Sequence, residues 1–530
     1  GSLQSDNLSV SGVGTISNVI HTKDSSGLGA TMGAAVGIVT YYGDGAGLTG
    51  VGASIFQYTY SPDLASSDIA LTTDIVTTWN NLIQNGSGTI TLRTGSASGT
   101  VVDQFVVGSS SSITIAGNQL TLNPAVNLSY DTQYWVVYPA GTIQALGGQL
   151  ESAELVTTFT SVALKYELWT WGYNAGGQLG HNNTTTYSSP IQLPGTNWAN
   201  NITWGVTQSS TSPMFPKQDG TLWVMGYNAN NGGLGLNDII NRSSPTQLSG
   251  TGWAHITQDN GVVAAKTDGT LWTWGNNYNG ALGLNDVIYR SSPTQVPGTT
   301  WATGYNTSVT NYGGITAGVK TDGTLWVWGS GGNEGRLGQN EGEVSQKVSS
   351  PIQIGTATNW ATISANAMAS VAATKTDGTL WTWGANTPGA LGHNDTNNRS
   401  APIQIPGTTW RNIRVGYNNM LGTKTDNTLW AWGWSGNFGL LGLNQGGQVR
   451  ISSPTQIPGT TWDQVAYSYE QNYATKTDGT IWGWGREGQG RLANNITSNA
   501  AYSSPVQILP GTDWISITGN GLGGAAIKEV

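Results

Sequence analysis

The chain of 530 residues contains no cysteine, which excludes a disulfide framework, a thiolate nucleophile and a cysteine-based zinc site. Only 9% of the residues are charged, and 20 Lys and Arg face 29 Asp and Glu. The net charge of -9 argues against a surface that binds nucleic acid or anionic membranes. No run of apolar residues is long enough for a membrane-spanning helix, so membrane insertion is not expected.

Catalytic motifs are missing as well. The sequence contains no Gly-x-Ser-x-Gly, no His-Glu-x-x-His and no phosphate-binding loop. Among its four histidines, His181 and His393 occupy the same place in two repeats, where other repeats carry leucine or glutamine. A position that accepts leucine is a packing or surface position rather than a metal-ligand position. We therefore expect no enzyme, no catalytic residue, no metal and no cofactor.

Glycine and tryptophan are abundant instead, with 76 and 24 copies. Together with frequent Thr, Ser and Asn, they indicate a β-rich protein whose surface is covered by neutral polar groups. The most informative stretch is Lys266-Thr267-Asp268-Gly269-Thr270-Leu271-Trp272-Thr273-Trp274-Gly275. Asp-Gly between two alternating runs predicts a β-hairpin, in which the Asp caps the turn and the Lys reaches across the strand pair.

Three markers recur seven times each after residue 163. The first is Trp-x-Trp-Gly or a close variant, which begins at Trp169, Trp223, Trp272, Trp326, Trp381, Trp430 and Trp482. The others are Gly-Thr-x-Trp and Ser-Ser-Pro-x-Gln, and the repeat length is 49 to 55 residues. Such a period with about four β segments per unit predicts a propeller.

The two ends of the repeat region complement each other. The region opens at Leu168 with the second half of a unit, and it closes at Lys528 with the first half of one. We therefore predict an all-β fold: a seven-bladed β-propeller whose last blade is closed by both ends of the repeat region, preceded by an Ig-like β-sandwich. Joining the two halves removes the free strand edges that an open stack would expose.

The repeats resemble those of the regulator of chromosome condensation family. The resemblance rests on Trp-Gly-Tyr-Asn at 171–174, Trp-Gly-Asn-Asn at 274–277 and the Ser-Ser-Pro-x-Gln segments, and it covers about 164–530. It implies a seven-bladed propeller. Some members of that family catalyse nucleotide exchange on a small GTPase by means of an inserted β element. No repeat of this chain carries a large insertion, so that activity does not follow from the fold.

The N-terminal third has a different composition. Residues 1–54 are rich in Gly and Ser, and Tyr-Tyr-Gly-Asp-Gly-Ala-Gly-Leu-Thr-Gly at 41–50 resembles repeats of phage tail fibres. This segment is predicted to be either a flexible connector or an oligomerisation and attachment element. Residues 55–162 show about seven short alternating strands and resemble the bacterial Ig-like domains of surface proteins, which usually act as spacers. The propeller is assigned to 163–530.

Candidate binding residues are those that vary inside the fixed repeat. They follow Trp-Gly or precede Ser-Ser-Pro, and both positions are predicted to lie in loops on one rim of the ring. Aromatic and Arg residues on a rigid scaffold suit recognition of sugars or of a protein surface, whereas the alternative is ordinary loop packing. The candidates are Tyr173, Tyr227, Asn276, Trp434, Arg486, Tyr187, Arg242, Tyr289, Arg290 and Arg399.

A loop with Glu334, Glu341 and Glu343 forms the densest acidic cluster, beside Arg336 and Lys347. A solvated charged loop is the simpler interpretation, and a cation or partner contact is the alternative.

These features favour a non-enzymatic virion protein: a phage tail fibre or appendage that displays the propeller for recognition of a host surface. The expected partners are a host glycan or protein and other virion proteins bound through the N-terminal segment, with a homotrimer as a further possibility. We expect neither nucleic acid nor a membrane as partner. The expected location is the virion, outside the cell. A bacterial cell-surface adhesin or S-layer-associated protein is the main alternative, and an intracellular exchange factor or scaffold is a third.

Overall fold

The computed structural model describes residues 58–530 apart from 64, 147–149, 151–153, 201, 203–211, 229–230, 260, 304–307, 333, 341–346, 366–368, 497–498 and 521. The predicted connector at 1–54 lies outside the described residues. Two compact units divide the chain at Ala163 and Leu164. Both are built from β-strands, and the helical content of the described residues is the 3-10 turn Gly436–Phe438.

The first unit consists of short strands in three sheets. The strands are β1 (Tyr58–Ser61), β2 (Ser66–Ile69), β3 (Ile75–Trp79), β4 (Ile83–Asn85), β5 (Thr89–Thr94), β6 (Thr100–Val106), β7 (Ile113–Ala116), β8 (Gln119–Leu122), β9 (Gln133–Tyr138), β10 (Ile143–Ala145) and β11 (Leu155–Ser161). One sheet has the order β1-β3-β8-β7 and a second has the order β2-β11-β9-β5-β6, while β10 pairs with β4.

The core of this unit follows from strand alternation. In β9, Tyr134, Val136 and Tyr138 share one face because side chains alternate along a strand, and all three are buried in the core. The buried Tyr138 hydroxyl forms a hydrogen bond of 2.8 Å with Thr77 Oγ1 on β3, which lies in the other large sheet. This bond satisfies a polar group that would otherwise be unpaired in the core.

The second unit contains the repeats. Its strands are β12 (Tyr166–Gly172), β13 (Tyr187–Gln192), β14 (Met214–Pro216), β15 (Leu222–Gly226), β16 (Arg242–Leu248), β17 (Trp253–Gln258), β18 (Gly261–Lys266), β19 (Leu271–Gly275), β20 (Arg290–Val296), β21 (Val309–Tyr312), β22 (Ile315–Val319), β23 (Leu325–Ser330), β24 (Lys347–Gln353), β25 (Trp360–Ala365), β26 (Ser370–Lys375), β27 (Leu380–Gly384), β28 (Arg399–Ile405), β29 (Trp410–Val415), β30 (Asn419–Lys424), β31 (Leu429–Trp434), β32 (Arg450–Ile457), β33 (Trp462–Tyr467), β34 (Gln471–Lys476), β35 (Ile481–Arg486), β36 (Ala501–Leu509), β37 (Trp514–Asn520) and β38 (Gly523–Glu529).

The described strands of this unit form seven antiparallel sheets. Sheet 1 has the order β13-β12-β38-β37, so strands from both ends of the repeat region lie side by side, with Trp169 opposite Ala526. Sheet 2 is β14-β15-β16, and sheets 3 to 7 are the consecutive groups β17–β20, β21–β24, β25–β28, β29–β32 and β33–β36. In sheets 3 to 7 the first strand of each sheet contacts the first strand of its neighbour, and the fourth strand contains Ser-Ser-Pro, or Ser-Ala-Pro in sheet 5.

Each Thr-Asp-Gly-Thr hairpin is held by a short relay of hydrogen bonds. Asp268 Oδ1 accepts the Thr270 N–H at 2.9 Å and the Thr270 hydroxyl at 2.6 Å, and Thr270 Oγ1 accepts Trp272 Nε1–H at 2.9 Å. Lys266 Nζ lies 4.4 Å from the ring centroid of Trp253 and 5.0 Å from that of Trp272. The predicted roles of Asp as a turn cap and of Lys as a cross-strand contact are confirmed.

Successive sheets pack face to face through apolar clusters. There is a cluster between each sheet and the next, and a further one joins sheet 7 to sheet 1 through Trp171, Ile481 and Ile517. The second Trp of the repeat also donates a hydrogen bond from its indole nitrogen to a loop carbonyl of the preceding sheet. These bonds are Trp171 to Arg491, Trp274 to Gly233, Trp328 to Ala281, Trp383 to Arg336, Trp432 to Ala390 and Trp484 to Leu440. In sheet 2 Met225 takes the place of this Trp.

A second link between sheets starts from asparagine. Each loop before a strand with Ser-Ser-Pro or Ser-Ala-Pro contains an Asn with positive φ, whose N–H donates to the first Ser carbonyl of the corresponding strand in the next sheet. Asn tolerates this left-handed conformation better than most residues. The pairs are Asn182 to Ser243, Asn237 to Ser291, Asn285 to Ser349, Asn340 to Ser400, Asn394 to Ser452, Asn444 to Ser503 and Asn495 to Ser188.

Candidate functional site

The loops between third and fourth strands lie on one side of the second unit. Because strands alternate in direction, these loops leave each sheet at the same end as the loops between first and second strands. The asparagine bonds attach every such loop to the next sheet at that end. We call this side the long-loop face. All ten candidate residues from the sequence lie in its loops or at the strand ends beside them.

A buried Asn organises several of these loops. In sheet 3, Asn277 Oδ1 accepts the Leu282 N–H at 2.9 Å, while its Nδ2 donates to the Asp286 backbone and side-chain oxygens at 3.0 and 2.9 Å. The amide therefore supplies one acceptor and one donor group to its own loop. Asn174, Asn228 and Asn386 fill the same place in sheets 1, 2 and 5.

An Asp–Arg pair closes three of the loops. In sheet 3, Arg290 binds Asp286 at 2.7 Å and donates to the Ile288 carbonyl at 2.8 Å, while Asp286 Oδ1 accepts the Ile288 N–H at 2.9 Å. Arg242 with Asp238 in sheet 2 and Arg399 with Asp395 in sheet 5 make equivalent contacts. These three candidate arginines are engaged with their own loops.

Two adjacent closed loops expose aliphatic residues. Ile239 and Ile240 are each 63% exposed, and Val287 and Ile288 are 55% and 61% exposed. Sheet 5 has polar Thr and Asn at 396–397, the corresponding positions. With three exposed tyrosines nearby, these residues form the apolar strip: Tyr227, Ile239, Ile240, Tyr278, Val287, Ile288 and Tyr289.

A backbone hydrogen bond joins the loops of sheets 2 and 3 that carry the strip. The Asn237 N–H donates to the Ser291 carbonyl at 2.8 Å, which places the Ile239–Ile240 loop beside Tyr289. At the far end, Lys347 Nζ lies 4.5 Å from the ring centroid of Tyr278. A contiguous apolar patch on a soluble surface commonly marks an interaction site.

Other candidates are engaged locally. The Tyr187 hydroxyl accepts a hydrogen bond of 2.9 Å from Asn183, and its ring packs edge-on against His181 at 5.5 Å. The Tyr173 N–H donates to the Leu522 carbonyl at 3.0 Å, and Asn276 Oδ1 accepts the Tyr278 N–H at 2.8 Å. These contacts shape loops, and they leave ligand binding by these residues a prediction.

Trp434 and Arg486 belong to a second group, on sheets 6 and 7. The Trp434 N–H donates to the Asn418 carbonyl at 2.8 Å, beside Tyr417, and the Arg486 N–H donates to the Glu470 carbonyl at 2.7 Å, beside Tyr469. The rings of Tyr417 and Tyr469 meet edge to face, with centroids 4.7 Å apart. We call Tyr417, Trp434, Phe438, Tyr469, Glu470 and Arg486 the tyrosine–arginine cluster.

In this cluster one carboxylate, that of Glu470, pairs with two arginines. Glu470 Oε2 pairs with Arg486 at 2.8 Å and also with Arg491, so two guanidinium groups share one carboxylate oxygen. The Arg486 guanidinium lies 5.1 Å from the Phe438 ring centroid. Its Nη2 makes a 3.4 Å contact with Asn499 Oδ1, which is at the outer limit of a hydrogen bond.

Glu487 occupies the place of the loop-organising Asn in sheet 7 and is fully buried. Burial raises the pKa of its carboxyl to about 7, although the Leu492 amide, the Asn494 side chain and Arg491 act to lower it. A protonated carboxyl offers one acceptor and one donor, as the Asn amide does in other sheets. The protonated form therefore suits this position.

The remaining titratable candidates are explained by packing. His181 and His393 form hydrogen bonds of 3.0 and 2.9 Å with Thr170 and Thr382, and burial lowers the pKa of both rings. Glu334 pairs with Arg336 at 3.2 Å. Glu341 and Glu343 lie outside the described residues.

Neither a metal site nor a membrane span emerges from the part of the chain that the structure describes. No group of three or more His, Asp or Glu there is placed to hold a metal ion. No helix there is long and apolar enough to cross a bilayer.

The repeat pattern points to the arginines of these loops but not to the aliphatic residues beside them. The candidate positions follow Trp-Gly or directly precede Ser-Ser-Pro, and Ile239, Ile240, Val287 and Ile288 lie between these two places. One signal in the sequence could have identified them. They lie inside Asp-x-x-x-Arg segments in sheets 2 and 3, and the same segment in sheet 5 has polar residues at the corresponding positions. Tyr417 and Tyr469 were missed because loops between first and second strands lack a repeated marker.

Comparison with known proteins identifies the class of both units. The profile of the regulator of chromosome condensation (RCC1) repeat matches 167–209, 268–304 and 377–419, and that of the bacterial Ig-like domain matches 57–161. The chain thus contains RCC1 repeats that form a propeller and a bacterial Ig-like domain. The resemblance to a phage tail fibre at 41–50 stays a prediction.

Several known proteins are similar over the repeat region. The RCC1 domain-containing protein RUG3, mitochondrial, of Arabidopsis thaliana is 27% identical over 400 residues, which are 68% of this chain and 75% of that protein. The crystal structure of human WBSCR16 has a TM-score of 0.57 at 16% identity and covers 69% of this chain and 99% of its own. Yeast RCC1 (Prp20), solved bound to Kap60, has a TM-score of 0.56 at 17% identity and covers 69% and 89%. These two structures show the shared fold.

Proposed function

We propose that this protein is a non-enzymatic recognition protein, whose propeller binds a protein on a cell surface through the apolar strip. In this proposal the seven sheets are the blades of one closed ring, and sheet 1 joins both ends of the repeat region. The observation that carries it is the exposure of Ile239, Ile240, Val287 and Ile288 on loops of fixed shape. Aliphatic side chains cannot form hydrogen bonds with sugar hydroxyls, so a protein surface suits them better than a glycan.

The rigidity of these loops favours binding. Ile240 and Ile288 each donate their N–H to an Asp that an Arg holds in place, so little loop freedom is lost on association. Three exposed tyrosines add large contact areas at a small cost in conformational entropy.

The Ig-like domain supports a location outside the cell. The bacterial Ig-like domain matches 57–161 and precedes the propeller in the chain, an order that suits a spacer. We propose that it spaces the propeller from an attachment point, on a phage appendage or, as the alternative, on a bacterial surface. Mass spectrometry of purified virions and of washed cell envelopes decides between the two locations.

Substitution within the strip tests the binding function. Ile240→Asp and Ile288→Asp in the full chain place charges in the strip, and we expect labelled protein to lose binding to host cells by at least about tenfold. Asn397→Asp in sheet 5 is the matched control, since the Asn397 N–H bonds to Asp395 in the same way. If Ile240→Asp and Ile288→Asp bound host cells as well as the parent and Asn397→Asp do, the assignment of the strip would be refuted.

A further inference from the structure

The tyrosine–arginine cluster combines features that the apolar strip lacks. Its aromatic members Tyr417, Trp434, Phe438 and Tyr469 are all partly exposed, and they come from loops of two neighbouring sheets. Charged groups lie directly beside them: the Arg486 side chain is 29% exposed and that of Glu470 is 16% exposed.

The geometry of the two tyrosines is fixed by the protein. The buried Tyr467 hydroxyl accepts the Tyr417 N–H and donates to the Tyr469 carbonyl at 3.3 Å. The ring planes of Tyr417 and Tyr469 meet at 65°. Two rings at this angle form a corner, against which the C–H face of a pyranose can pack while its hydroxyl edge points away.

The electrostatics favour a negatively charged partner. Arg486 and Arg491 share Glu470, so these three groups carry one excess positive charge on a chain with a net charge of -9. Glu487 is a further carboxyl near Arg491, and because burial raises its pKa to about 7 it offsets this charge only in part. Arg486 Nη2, with its long contact to Asn499, is the donor best placed to bind an anion.

We propose that the tyrosine–arginine cluster is a binding site for an acidic carbohydrate, with the sugar ring packed on Tyr417 and Tyr469 and its anionic group bound by Arg486. Glu470 supplies an acceptor for a sugar hydroxyl. A neutral sugar would leave the excess charge unpaired, and a cationic ligand would be repelled by it. The site is separate from the apolar strip, which lies on sheets 2 and 3.

Binding of defined oligosaccharides to the full chain tests this proposal. The probes for calorimetry are oligogalacturonate, its methyl ester, which keeps the ring but removes the charge, and a sulfated heparin oligosaccharide. We expect at least one acidic probe to bind about tenfold more tightly than the ester, and its affinity to fall with added salt. No binding of either acidic probe, or equal binding of oligogalacturonate and its ester with no heparin binding, would overturn the proposal.

Variants locate the site. We expect Arg486→Gln and Tyr469→Ala each to lower the affinity for the acidic probe by about tenfold. Arg486→Lys should lower this affinity by less. Arg242→Gln removes one positive charge from another loop of the long-loop face and is expected to leave binding unchanged. Ile240→Asp should also leave it unchanged, so failure of the strip and failure of this site are distinguishable. If Arg486→Gln does not fold, Tyr469→Ala still tests the site. Folded Arg486→Gln or Tyr469→Ala that binds the acidic probe as tightly as the parent would overturn the proposal.

Discussion

The Asn495 N–H donates a hydrogen bond of 2.9 Å to the carbonyl of Ser188, which precedes it by 307 residues. The same bond joins Asn444 to Ser503 in adjacent repeats. The contact between sheets 7 and 1 is therefore built like every other contact between neighbouring sheets. Trp171, whose indole nitrogen donates to the Arg491 carbonyl, completes this seam.

Substitution of Asn495 tests the importance of the seam. Asn495→Val puts a β-branched residue at a φ of 61°, and we expect the free energy of unfolding to fall by about 1–2 kcal/mol. Asn495→Gly adopts this conformation readily and should stay close to the parent in urea denaturation. Equal stability of the Val and Gly variants would show that backbone conformation at this position does not limit stability.

Trp274 and Met225 occupy equivalent positions in neighbouring sheets. Both are fully buried, and Trp274 also donates a hydrogen bond to Gly233. Trp274→Ala should reduce the free energy of unfolding by about 3–5 kcal/mol because it leaves a large cavity. Trp274→Met should cost clearly less, since Met fills irregular space. Chemical denaturation of both variants measures the difference, and a cost for Met as large as that for Ala would contradict this explanation.

The buried Glu487 makes stability depend on pH. Its pKa is near 7 when folded and 4.5 when unfolded, so the folded state holds an extra proton between these values. The contribution of this carboxyl to the free energy of unfolding is therefore complete below about pH 4.5, and it is lost as the pH rises from there through 7. We expect Glu487→Gln to be more stable than the parent at pH 8 by up to about 3 kcal/mol, and nearly equal to it near pH 4.5.

Thermal unfolding of the parent and Glu487→Gln across pH 5 to 8 measures this difference. Glu154→Gln, at an exposed position of the first unit, is the control and should follow the parent at every pH. A constant difference between Glu487→Gln and the parent would rule out titration of this carboxyl.

The hairpin relay predicts a distinction between two substitutions of Thr270. Thr270→Val keeps the shape but removes the hydroxyl that bonds Asp268 and accepts from Trp272, and it should cost about 1 kcal/mol. Thr270→Ser keeps the hydroxyl and should cost less. Urea denaturation of both variants gives the result, and the reverse order would refute a role for the relay.

The repeats made the second unit predictable. Thr-Asp-Gly-Thr determines its turn through contacts within five residues, from Asp268 to Trp272, so the sequence contains the information needed. In β9, alternation along the strand likewise places Tyr134, Val136 and Tyr138 on one face. The place of β3 (Ile75–Trp79) depends instead on residues distant in sequence, since Ile75 lies opposite Leu122 and Thr77 opposite Leu120.

The candidate site depended on contacts that the sequence could not reveal. An Arg in a loop is equally compatible with ligand binding and with the Asp four residues before it, and geometry alone identified the pairing of Arg290 with Asp286. The proximity of Tyr417 and Tyr469, 52 positions apart in the sequence, arises because neighbouring sheets present equivalent loops side by side.

The Asp–Arg closure has a consequence for how the surface can diversify. The same bonds enclose Ile-Ile in sheet 2, Val-Ile in sheet 3 and Thr-Asn in sheet 5, so the enclosed pair can change without any change in loop shape. The shape of each closed loop is therefore independent of the two residues that it encloses. Two exposed residues at a time can change on this surface while the hydrogen bonds that shape the loop stay the same.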